Sequence, residues 1–97
     1  MSSKAERRTA RQEVAAYHEA ELGRLVGHVE EAVRRHRAGE LDAFEVDEVI
    51  FQYSRAAKEL WKFCNLGNVE STAHWIRDES PSGWWERGKP WRRGARD

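Results

Sequence analysis

The sequence predicts an all-α fold: a long helical hairpin, a short third helix and an extended Trp/Arg-rich C-terminal tail. Three observations carry the prediction. Apolar residues recur at spacings of three and four through two long segments, Ser3, Asp42 and Asn68 each open a segment with a helix-start signal, and breakers gather at Gly39, Asn65–Asn68 and Asp78–Gly83. Residues 1–78 read as the hairpin with its third helix, and residues 79–97 as a linker and aromatic-basic tail.

The first helix starts at a capping box, Ser3-Lys4-Ala5-Glu6, whose hydroxyl and carboxylate can each satisfy a free backbone amide. Val14, Leu22, Leu25, Val26, Val29 and Val33 then form one face, with His18 and His36 on the same stripe. Gly39 suits the left-handed position that closes a helix. Gly23 and Gly27, four residues apart, admit two readings: the close approach of a second helix, or a weak spot in a long one.

The second helix has the clearest start. Asp42 caps it, Glu45 completes a capping box, and Leu41 can staple against Val46. Phe44, Val46, Val49, Ile50, Tyr53, Ala57, Leu60, Trp61 and Cys64 make a wide apolar face. A third helix runs from Val69 to about Arg77, capped by Asn68. At 1.5 Å per residue the first helix spans about 50 Å and the second about 33 Å, so the start of the first lacks a partner in the second. Two packed helices would leave Trp61, Phe63 and Trp75 poorly sheltered. A homodimer closing a four-helix bundle resolves this, and a monomer closed by the tail is the alternative.

Composition sets the outer bounds. The 97 residues carry 17 basic and 17 acidic groups, which argues against a protein that coats nucleic acid. The balance conceals a partition: residues 1–38 hold eight basic and six acidic groups, residues 39–79 four and nine, and residues 80–97 five and two. An acidic turn thus lies between two basic ends. No run approaches the roughly 18–20 apolar residues that cross a bilayer, and Met1 to Glu13 has no signal-peptide core. With Cys64 the single cysteine, no internal disulfide forms and a cytoplasmic chain is expected.

Candidate chemistry is sparse. His18 with Glu21 and His28 with Glu31 reverse the Glu-x-x-His order of helical di-metal sites, and neither forms His-Glu-x-x-His. Cys64 with His74 as base would be a nucleophile pair, but Cys64 continues an apolar stripe at a helix end, where the dipole disfavours a thiolate. The five carboxylates from Glu40 to Glu48 are out of register for a calcium loop. No catalytic residue, metal ligand or cofactor is assigned; a metal-dependent helical enzyme stays as the remote alternative.

The tail interleaves aromatic and cationic residues, which suits stacking, membrane-surface insertion or anchoring in a groove. Trp84, Trp85, Arg87, Trp91, Arg92 and Arg93 are the candidate contact residues, for a protein partner or for the chain's own hairpin with its acidic centre. A nucleic-acid-associated regulator using Arg7, Arg8 and Arg11 with Arg87 to Arg96 is the second functional reading.

Residues 39–47, GELDAFEVD, and 56–64, AAKELWKFC, with an excess of Arg over Lys, resemble small helical proteins of actinomycete type to which no activity is attached. The resemblance, over roughly residues 14–64, implies a bacterial cytosolic setting. The expected function is therefore a non-catalytic interaction or adaptor protein. Titrating RNA and DNA at two salt concentrations checks the second reading: phosphate contact by the basic ends predicts affinity that falls steeply with salt, and no binding at low salt removes it.

Overall fold

Four helices make up the residues described, 3–90, of the computed structural model: α1 (Lys4–Arg37), α2 (Ala43–Asn65), α3 (Val69–Glu79) and α4 (Trp84–Arg87). Local chemistry sets the ends of the first three. Ser3 Oγ accepts from the Glu6 amide at 3.1 Å while the Ser3 amide donates to Glu6 Oε1 at 2.7 Å. Asp42 and Glu45 repeat the arrangement at 2.8 and 2.9 Å. Asn68 Oδ1 accepts from the amides of Glu70 and Ser71. Each cap satisfies amides that the first turn leaves orphaned, for about 1 kcal/mol.

Gly39, at φ +80°, turns the chain between α1 and α2. The third helix runs two residues beyond the expected Arg77 and ends at Ser80 in the left-handed region, so the linker shortens to residues 80–83. No helix of the described residues is long and apolar enough to cross a membrane.

The core sits between α1 and α2 and beneath α3 and α4. Ala10, Val14, Leu25, Ala56, Leu60, Cys64, Ala73 and Trp84 are its buried members. It is thin: Leu25 and Leu60 are the large side chains with under 2% exposure. The radius of gyration, 16.7 Å, exceeds the roughly 12.5 Å of a compact chain this long. An elongated slab of 55 × 34 × 18 Å leaves helix faces without cover.

Two expectations meet a different arrangement. Where an extended tail is expected from Trp84, one helical turn packs against the hairpin, placing Trp84 at 3% exposure. Nothing lies within 4 Å of a side chain added at Gly23 or Gly27, so no second helix approaches there. Gly88 is the glycine that a close approach requires: a Cβ on it would collide with the Gln52 carbonyl oxygen and with Ala56 of α2. Gly88→Ala is therefore expected to cost about 1–3 kcal/mol, read as a lower urea midpoint and easier quenching of tryptophan fluorescence. Gly27→Ala, in open helical space, is expected to raise the same midpoint by up to about 1 kcal/mol.

Candidate interaction surface

The C-terminal turn is held on α1 and α2 by polar contacts that converge from both helices. Tyr17, on α1, donates its hydroxyl to the Pro81 carbonyl at 2.5 Å and accepts from Trp84 Nε1 at 2.7 Å. From α2, Gln52 Nε2 donates to the Trp85 carbonyl at 2.9 Å and Arg55 Nε to the Gly88 carbonyl at 2.6 Å. The Trp85 carbonyl also accepts from the Gly88 amide at 3.1 Å, so the side chains of α2 tie down both the turn and its last carbonyl.

Aromatic contacts complete the seat. Phe63 lies 5.4 Å from Trp84, 5.9 Å from Tyr17 and 5.7 Å from Trp75, ring centre to ring centre. The Trp85 indole stacks on His28 at 4.0 Å with 2° between planes. Arg87 places its guanidinium carbon 4.2 Å above the Trp84 ring, an attraction worth roughly 0.5–2 kcal/mol. An indole buried this way contributes on the order of 4–6 kcal/mol as an upper bound.

Of the six candidate contact residues, Trp84 is thus part of the core, Trp85 is half-buried on His28, and Arg87 is exposed across Trp84. Trp91, Arg92 and Arg93 lie outside the described residues. At Pro90 the chain borders a cleft of α2 residues Glu48, Phe51, Gln52 and Arg55.

The groups considered for chemistry are engaged elsewhere. Glu21 pairs with Arg24 at 3.4 Å, Glu31 grips Arg34 through both oxygens, and His28 stacks on Trp85. Arg34 holds the Glu31 carboxyl below its ordinary range, chiefly through that hydrogen bond. His74 faces Asp78 on the exposed side of α3, while Cys64 is buried in the core. The structure does not bring them together as nucleophile and base. Among the described residues no three His, Cys, Asp or Glu side chains converge as metal ligands would.

What the described residues do present is apolar surface. Seven large hydrophobic side chains are exposed, from Val26 at 39% to Phe44 at 82%. They divide between two flanks of the hairpin. α4 covers the flank carrying His28, Gln52 and Arg55. At about 100° per residue, Ile50 points roughly 160° from Gln52, and Val26 the same from His28. The opposite flank carries Val26, Ile50 and Trp61 and bears a shallow groove of about 180 Å³ lined by Val33, His36, Ala43, Val46, Asp47 and Ile50. Sequence reasoning marked these as core positions by their spacing, but spacing alone does not tell which flank another element covers.

Burial pushes the Cys64 thiol up to about 11 and raises the Tyr17 phenol above its ordinary value. Both groups hold their protons more tightly folded than unfolded. Their contribution to stability is therefore full below the unfolded pKa values, about 8.5 for a thiol and 10 for a phenol, and declines as pH rises through the folded ones. The urea midpoint is expected to fall between about pH 8.5 and 11, and to fall less in Cys64→Ala. The thiol is expected to alkylate at a measurable rate only once the protein unfolds. No family model, curated protein or solved structure matches the chain, and its function is argued from its own side chains.

Proposed function

We propose that this chain is a non-catalytic helical interaction protein of a bacterial cytoplasm that self-associates and docks through apolar side chains displayed on its hairpin. One observation carries the reading: on a chain with so thin a core, Phe44, Phe51, Trp61, Leu66 and Trp75 remain more than half exposed. Scattered exposed apolar residues are ordinary, but five large side chains more than half exposed on α2, its following turn and α3 support a contact role. Aromatic residues are also the type that dominates binding energy at interfaces.

The Trp/Arg-rich segment has a part in this reading. Residues 84–88 serve as a self-docking strap, with Tyr17, His28, Gln52 and Arg55 as the receiving groups. Trp91, Arg92 and Arg93, which follow it in the sequence, are the proposed contact residues for a partner.

Photo-crosslinking tests the proposal. A benzoylphenylalanine placed at Phe44, Trp61 or Trp75 in the producing cells is expected to yield discrete adducts, with the same group at buried Trp84 as the control. Absence of adducts at all three exposed positions overturns it.

A further inference from the structure

We infer that the uncovered flank of the hairpin binds a second copy of this chain in antiparallel register, each basic N-terminal end facing the other copy's acidic turn. The inference rests on the interaction reading above and names the partner of one surface.

A single stripe along α1 contains the argument. Residues 4, 8, 11, 15, 18, 22, 26, 29 and 33 step by three or four, and their 29-residue span is close to eight turns of 3.6, so the stripe runs nearly straight. Lys4, Arg8 and Arg11 are exposed at its start; Leu22, Val26, Val29 and Val33 occupy its far half. The groove beyond joins Val33 to Val46, Asp47 and Ile50 of α2, next to the turn that holds Glu40 and Asp42. One end of the flank therefore carries Lys4, Arg8 and Arg11, its middle is apolar, and its other end presents Asp47, while Glu40 is held by Arg35 of the same chain at 3.1 Å.

That polarity selects the register. Residue 22 is the midpoint between Lys4 and Glu40. A two-fold axis crossing the flank there brings Arg11, about 17 Å from the axis, level with Val33 and the neighbouring Asp47 of the second copy. Arg11 with Asp47 is the charge pair that this register forms, since Glu40 is already held by Arg35 of its own chain. A parallel arrangement instead sets Arg11 near Arg11 and Asp47 near Asp47, a cost that the Arg11–Asp47 pairing removes. On α2 the same axis lays the exposed Trp61 indole over the second copy's Ser54, a small exposed residue that leaves room for it. An isologous contact of this kind closes on itself as a dimer.

The area is adequate. Two helices side by side are about 20 Å wide, and α1 and α2 run together for roughly 33 Å, giving on the order of 650 Å² before the N-terminal turns are added. A standard stable interface buries about 800 Å² per partner.

Sedimentation of the full chain from about 1 to 100 μM, with and without added salt, tests the inference. A dimer is expected, weakened by salt. Ile50→Glu, at an exposed position, is expected to loosen it by about tenfold or more with helix content retained by circular dichroism. Phe44→Glu, on the other flank, is expected to leave it unchanged. Arg11→Glu and Asp47→Arg are each expected to weaken it roughly three- to tenfold, and the chain carrying both to recover most of the loss. A monomer throughout, dissociation by Phe44→Glu in place of Ile50→Glu, or a double variant no better than the singles overturns the inference. Trp61 crosslinks to other proteins from a chain that stays monomeric would leave the docking part of that reading standing and remove self-association together with this inference.

Discussion

The Tyr17 hydroxyl is the constraint on which the packing of the C-terminal third depends. A buried indole N–H needs an acceptor, and the hydroxyl provides it while passing its own proton to the Pro81 carbonyl. One oxygen on α1 thus fixes both the exit of the linker and the seating of Trp84. With the indole in place, the next residues have little freedom. Trp85 falls on His28, Arg87 closes over Trp84, and Gly88 comes against the α2 backbone, where Gln52 and Arg55 donate to the Trp85 and Gly88 carbonyls. The contacts with α1 and α2 span more than thirty residues of sequence, and they turn a two-helix hairpin into a closed core on one side.

This dependence explains what could be read from the sequence. The capping boxes at Ser3 and Asp42, the Asn68 cap and the Gly39 turn are local chemistry, and each lies where the residues predict it. The helical hairpin follows from periodicity and length, which also need no tertiary knowledge. The seat of Trp84 does not, because its signals are scattered: a tyrosine on α1, an amide and a guanidinium on α2, and a glycine after the turn. Reading the tail as able to fold back on the acidic centre had the right direction for residues 84–88, yet for a different reason. Arg87 goes to an indole face and Arg55 reaches a tail carbonyl, so the strap is held by rings and carbonyls rather than by tail cations on hairpin carboxylates. The Gly23–Gly27 pair shows the converse, a local pattern with no tertiary contact behind it.

The same accounting bears on the exposed side chains. A chain of this length buries only about 60–65% of its unfolded surface, and a hairpin offers two flanks. α3 and α4 are spent on one. Were the other meant for water, its stripe would be expected to match the solvent-facing side of α1, where Gln12, Glu19 and Arg24 stand exposed. It carries Val26, Ile50 and Trp61 instead. Apolar residues on a flank that no further helix of the described residues covers are difficult to explain by the monomer's own stability. The proposed dimer would account for them, since the same flank of a second copy, turned end for end, is apolar in the middle and sets Asp47 level with Arg11.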